Sequence, residues 1–135
     1  MAAAVSIGQS VIDEMLAHAR EAAPDECCGL LIGDRRRIEY SIRATNLQAS
    51  PTRYLIDPAG HFAAIRQARS SGLRVAGAYH SHPAGTTVPS ESDVAEASGG
   101  PDFLYLIASP ASGDVRGYHL KNGAVEPVEL VCVSE

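Results

Sequence analysis

An α/β fold, a mixed sheet with helices on its faces, is predicted by three features of this sequence. Two stretches carry apolar residues at the 3.6-residue period, several shorter runs are continuously apolar or alternate, and the two kinds interleave along the chain. The chain has 135 residues, 45% of them apolar, and residues 1–135 are expected to form one domain with its own core.

Ile7, Val11, Ile12, Met15, Leu16 and Ala19 recur with helical spacing while Asp13, Glu14, His18, Arg20 and Glu21 fall elsewhere. A first amphipathic helix is expected there, closed by Pro24. Residues 29–33 read as a buried strand entering the core, and residues 37–45 as a half-buried one carrying Ile38, Tyr40 and Ile42 in alternation. Between them Arg35-Arg36-Arg37 suits a solvated hairpin tip. Tyr54-Leu55-Ile56 reads as a short further strand. Asp57-Pro58 supplies an N-cap and a first-turn proline for a second helix, with Phe62, Ile65 and Ala68 or Arg69 as its buried stripe and Gly72 as its end. After a Ser-Ser-Gly turn, residues 73–79 are largely apolar and read as a buried strand. A short helix running through Ala97 is broken by Gly99-Gly100-Pro101, and residues 103–108 form a continuous apolar strand suited to a central position. Two late strands, near 115–120 and 125–133, are joined by Asn122-Gly123, a strong hairpin signal.

Composition excludes several classes. The net charge of −5 and scattered arginines leave no basic face, so no nucleic-acid partner is expected. Three cysteines, two of them adjacent, make no disulfide framework. No run approaches membrane-spanning length and no basic-then-apolar leader opens the chain, so no membrane partner and a cytoplasmic location are expected. A homodimer is compatible with the sequence, which does not dictate it.

The chemistry concentrates in Gly77 to Asp93, G-A-Y-H-S-H-P-A-G-T-T-V-P-S-E-S-D. His80 and His82 are two apart at the end of a strand, so they project to one side, and Pro83 ends the strand. His80, His82 and Asp93 have the residue types of a three-ligand metal site, which leaves a coordination position for water and points to metal-assisted hydrolysis. The same residues also read as polar strand positions followed by a helix start, with Ser90 as N-cap and Asp93 at the third position of a capping box. A helix beginning at Ser90 would itself hold Asp93 on a rigid platform.

A second segment lies far upstream, Pro24-Asp25-Glu26-Cys27-Cys28-Gly29-Leu30-Leu31-Ile32-Gly33. Glu26 ahead of C-G-L-L, then His80-Ser81-His82-Pro83, Ser90 and Asp93 at this spacing, resembles the JAMM motif of the MPN (Mov34/MPN/PAD-1) zinc metalloproteases, and the compact prokaryotic type in particular. The resemblance spans essentially the whole chain. It implies a JAB1/MPN-like core, a curved mixed sheet flanked by helices on both faces. It implies one Zn2+ ligated by His80, His82 and Asp93, with Glu26 as general base and Ser90 steadying the oxyanion. By chemistry alone Asp25 is an equal candidate for the base; the register of the family pattern selects Glu26.

The resemblance also implies hydrolysis of a peptide or isopeptide bond after the C-terminal Gly-Gly of a ubiquitin-like or sulfur-carrier protein. Only residues 94–102 separate Asp93 from the next strand, little material to grip a large second partner. Relatives lacking the metal residues serve as scaffold or protein-binding modules, which makes a non-catalytic module with a structural metal the alternative. Cys28, two residues from Glu26, is a candidate fourth ligand that would close the site, although a buried cysteine acts as a small hydrophobe more often. A cysteine nucleophile at Cys27 or Cys28 would leave the histidine pair without purpose. Iron or manganese would also suit such ligands. His18, His61 and His119 fall on separate elements and read as ordinary polar residues.

Overall fold

The computed structural model describes residues 3–134. In chain order its elements are β1 (Val5–Gly8), α1 (Gln9–Ala22), β2 (Cys28–Gly33), β3 (Arg37–Ala44), α2 (Pro58–Ser70), β4 (Arg74–Ser81), α3 (Glu91–Glu96), β5 (Leu104–Ala108), β6 (Val115–Lys121), β7 (Ala124–Val128) and β8 (Leu130–Val133). The strands form one sheet of order β7-β6-β5-β4-β2-β3-β1-β8. Pairing is mixed: β4 runs parallel to β5, and β1 parallel to β3 and β8, while the remaining pairs are antiparallel.

The sheet must curl. Strands β7 and β8 lie at its opposite edges, yet only Glu129 separates Val128 from Leu130. The two edges therefore approach each other, and a Cβ on Gly117 of β6 would stand 3.1 Å from Leu130 Cδ2 of β8. Helix α1 fills the concave side, where Val11, Met15 and Ala19 pack with Val5, Ile7, Leu31, Tyr79, Leu106 and Val128. On the convex side α2 lays Ala64 and Ala68 on Leu30, Ile32 and Ala78, and α3 brings Val94 to Tyr105, Ile107 and Tyr118. Helices thus cover both faces, as the sequence implies.

Backbone contacts at the centre leave no room for side chains. A Cβ on Gly29 of β2 would fall 2.1 Å from the Tyr79 ring and 2.6 Å from the Ile42 carbonyl oxygen. The glycine lets the Tyr79 ring lie flat across β2, and Tyr79 immediately precedes the first histidine of β4. The β6–β7 turn at Asn122-Gly123 has positive φ at both residues, 49° and 80°, the primed geometry that suits the right-handed twist of a hairpin.

Four expectations need correction. Ile7 belongs to strand β1, not to the first helix; Val5 and Ile7 are buried at the two-residue period of a strand, and Gly8 caps α1 without a side chain, so nothing in the sequence marks the boundary. Tyr54 to Ile56 is no strand: it makes one bridge, Asn46 to Ile56, and Leu55 N–H donates to the Asn46 side chain at 2.9 Å. Phe62 is 62% exposed, the buried stripe of α2 running through Ala64 and Ala68 instead. The last expected strand, 125–133, is two strands, because a continuous one could not leave one edge of the sheet and join the other.

Candidate metal centre

His80 is the penultimate residue of β4 and His82 the first beyond its end, so strand parity turns both imidazoles to the convex face. Their Nε2 atoms stand 3.1 Å apart. Asp93 Oδ2 lies 3.1 Å from His80 Nε2 and 3.0 Å from His82 Nε2. Three donor atoms from two distant segments therefore converge on one point, and among the described residues they form the one group of three or more such side chains able to hold a metal.

The start of α3 fixes the aspartate. Ser90 Oγ accepts from the Asp93 N–H at 3.1 Å and the Ser90 N–H donates to Asp93 Oδ2 at 2.9 Å, the reciprocal capping box. The capping box that starts the helix and the carboxylate that faces the histidines are one feature, not rivals. Burial opposes ionisation of Asp93, but hydrogen bonds from His80 and His82 outweigh it and hold the carboxyl well below the usual carboxylate range. Complete burial lowers the His80 pKa, against the hydrogen bond to Asp93, which works to raise it. Burial also works against a charged His82, but its hydrogen bond to Asp93 prevails and raises its pKa.

Around these ligand atoms the structure sets the ring orientations. His82 Nδ1 lies 2.8 Å from the Thr86 carbonyl oxygen. A carbonyl only accepts, so Nδ1 carries the hydrogen and the proton that can leave is on Nε2. Tyr54 stacks on His80 with ring centroids 4.3 Å apart and planes 17° from parallel. Neither contact was visible in the sequence. A main-chain acceptor has no residue signature, and Tyr54 reads as a strand residue when it lies in a loop folded back over the site.

These residues fit a divalent cation. Two imidazole nitrogens and a carboxylate oxygen packed this closely repel one another unless protons or a cation lie between them, and a metal satisfies all three lone pairs at once. Ligand atoms around a tetrahedral zinc with bonds of about 2.0 Å stand roughly 3.3 Å apart, so the donors are already near the spacing required.

Glu26 precedes β2 and is 5% exposed. Its main chain is tied down by the Ser50 carbonyl, which accepts its N–H at 2.8 Å, and by Asn46, whose Nδ2 donates to its carbonyl at 3.0 Å. Its Oε1 is buried with no hydrogen-bond partner in the protein. Burial pushes the carboxyl up to about 7, with His82 pulling it down and Asp93 adding to the rise. Glu26, His82 and Ser90 line one cleft of about 330 Å³, walled by Pro51, Val88 and Pro89. The sequence-selected Glu26 and Ser90 thus share a cavity with a metal-facing histidine.

Cys28 pairs with His80 and so shares its face of the sheet, but its Sγ contacts the Ala44 carbonyl, 4.0 Å away, and is not among the side chains that converge at the centre. Burial pushes the thiol up to about 12, which disfavours the thiolate a fourth ligand would need, and Cys28 packs as a small buried hydrophobe. His18 bonds the Tyr79 hydroxyl at 2.7 Å, far from the site in role, as expected of a polar residue on α1.

Comparison with known proteins places this geometry in context. Residues 8–121 match the family model described as prokaryotic homologs of the JAB domain. The chain is 36% identical over 132 residues to the CysO-cysteine peptidase of Mycobacterium tuberculosis, covering 93% of this chain and 90% of that protein. It is 37% identical over 113 residues to a desampylase of Haloferax volcanii, covering 78% and 81%. Among solved structures, a protein from Desulfitobacterium hafniense superposes with a TM-score of 0.89 at 33% identity, covering 97% of this chain and 94% of that one. A JAB1/MPN domain protein from Archaeoglobus fulgidus superposes at 0.63 with 24% identity, covering 95% and 98%, which shows the same fold.

Proposed function

Given that this chain belongs to the prokaryotic JAB family, the JAMM/MPN group, and is a hydrolytic enzyme, we propose that it is a zinc metallopeptidase acting on a ubiquitin-like or sulfur-carrier protein. It cuts the peptide or isopeptide bond that follows the carrier's C-terminal Gly-Gly. The observation that carries this reading is the convergence of His80 Nε2, His82 Nε2 and Asp93 Oδ2 to within 3.0–3.1 Å, with His82 lining a cleft that also holds Glu26, whose buried Oε1 has no partner. The names of the relatives, a CysO-cysteine peptidase and a desampylase, support a substrate of this class.

His80, His82 and Asp93 would hold one zinc ion, which would lower the pKa of a water to about 7 and polarise the scissile carbonyl. Glu26 takes the proton of the attacking water. Burial raises the Glu26 pKa, which favours accepting that proton, and a bound zinc would draw it back down, which favours delivering it to the departing amine. The Ser90 hydroxyl sits on the same cleft and donates to the carbonyl oxygen as negative charge grows there, an interaction stronger in the transition state than before it. Ser90 Oγ already accepts from the Asp93 N–H and lies 3.1 Å from Ser92 Oγ, and its own hydrogen is the part that can turn to the substrate.

An extended glycine tail suits the cleft. Glycines need no side-chain pockets, and main-chain pairing supplies the affinity. The nine residues from Val94 to Asp102 contain only the rest of α3 and a turn, so recognition falls to the tail and the walls of the cleft rather than to a large added platform. A scaffold role is disfavoured because every ligand and the base are present.

Incubating the protein with a carrier carrying a C-terminal amino acid or a lysine-linked target tests the reading. Mass spectrometry should find the carrier ending at its second glycine, with the Glu26→Gln variant slower by about 10²- to 10⁴-fold. No cleavage by zinc-loaded protein of carriers with either attachment would overturn it.

A further inference from the structure

The loop between His82 and Ser90 is pinned at two successive carbonyls. The Thr86 carbonyl accepts from His82 Nδ1 at 2.8 Å, and the next one, Thr87, accepts from the Tyr118 hydroxyl at 2.7 Å. Tyr118 stands on β6, separated from β4 by β5, where it pairs with Tyr105. At about 4.8 Å per strand, its backbone lies roughly 10 Å from the strand that carries the histidines. Its ring is packed among Tyr105, Ile107 and Leu120, so the hydroxyl is delivered to the loop by a rigid element of the sheet. The loop otherwise has only local ties, Gly85 N–H to the His82 carbonyl at 3.0 Å and Val88 N–H to Thr86 Oγ1 at 3.3 Å. Apart from His82 itself, Tyr118 is the one side chain from outside the loop for which a bond to residues 83–89 is found among the described residues.

We propose that Tyr118 is a positioning residue for the metal centre. By holding the Thr87 carbonyl it keeps the adjacent Thr86 carbonyl against His82, which fixes the hydrogen on Nδ1 and leaves Nε2 free and correctly turned for the ion. The proposal rests on the metal reading given above. Groups that orient a metal-bound histidine are worth about 10- to 100-fold in metal affinity, and here the orienting group is a main-chain carbonyl that needs an anchor of its own.

Three variants test this. Tyr118→Phe removes the hydroxyl and keeps the packed ring. Tyr105→Phe, the control, removes a hydroxyl from the same sheet face that accepts from Gly99 N–H at 2.8 Å and does not touch the loop. Thr87→Ala leaves the accepting main-chain carbonyl in place. Zinc dissociation constants, measured by competition with a chelator, should rise about 10- to 100-fold in Tyr118→Phe and stay within about twofold of the parent in Tyr105→Phe and Thr87→Ala. Nitrogen-15 NMR of the zinc-free protein should find neutral His82 with its hydrogen on Nδ1 in the parent and a mixture of tautomers in Tyr118→Phe. Parent-like affinity in Tyr118→Phe, or an equal loss in Tyr105→Phe, would overturn the proposal. So would a Tyr118→Phe chain that fails to fold while Tyr105→Phe folds, since the hydroxyl would then serve the fold. If the parent bound no zinc, the metal reading would fall by itself, and the tautomer measurement would still decide the role of Tyr118.

Discussion

Replacing Glu26 by Gln should make the zinc-free protein more stable at alkaline pH while removing its activity. Glu26 is 5% exposed, Oε1 has no partner, and burial raises its pKa from the ordinary 4.5 to about 7. Between those two values the folded state binds more protons than the unfolded one, so stability falls as pH rises and the loss is complete above 7. Each whole step in pKa is worth about 1.4 kcal/mol. Ionised Glu26 therefore costs about 3 kcal/mol at pH 8 and under about 1 kcal/mol at pH 5. A buried glutamine amide avoids the charge but leaves a polar group imperfectly bonded, at a cost of about 1 kcal/mol. The net expectation is a gain of about 2 kcal/mol at pH 8 and none at pH 5. Urea denaturation of both proteins in chelator, at the two pH values, reads the difference directly. Equal stability of parent and variant at pH 8, or a gain that does not depend on pH, would refute the claim that an unpaired carboxylate is held in the cleft.

Two further outcomes follow from the packing. Gly29→Ala drives a methyl into the Tyr79 ring and the Ile42 carbonyl, both under 3.0 Å away, and should lower stability by about 1–3 kcal/mol in chemical denaturation; an unchanged midpoint would mean that β2 and β4 are not so closely apposed. Ser90→Ala removes the cap of α3, worth about 1 kcal/mol, and also the hydroxyl proposed to meet the carbonyl oxygen, so the cleavage rate should fall by about 10²- to 10³-fold, far beyond what the lost stability explains. A rate within about threefold of the parent would assign Ser90 to the cap alone.

The centre was largely legible because each of its parts doubles as a strong local signal. His80 and His82 share a face by strand parity, Pro83 ends the strand beside them, and Asp93 occupies a capping-box position whose geometry also aims its carboxylate. What stayed hidden was carried by main chain or by return of the chain from a distance. Thr86 acts through its carbonyl, Tyr54 through a ring laid over His80 from a loop, and Asn46 through bonds to Glu26 and Arg53 carbonyls that hold that loop shut. The fold errors have the same origin. Ile7 satisfies the periods of helix and strand alike, and Gly8 offers no capping side chain to separate them. Phe62 fits the helical spacing of a buried stripe, whereas the small Ala64 and Ala68 are what pack α2 on the sheet. The break at Glu129 depends on curvature of the whole sheet, which no local pattern encodes.

Two imidazoles and one aspartate are proposed to bind a single metal ion. Calorimetric titration of the chelator-stripped protein with zinc tests it most directly, using the parent and the His80→Ala, His82→Ala and Asp93→Ala variants. One ion per chain in the parent and its loss in each variant are expected. A parent that takes up no zinc, or variants that bind it as well as the parent, would contradict it.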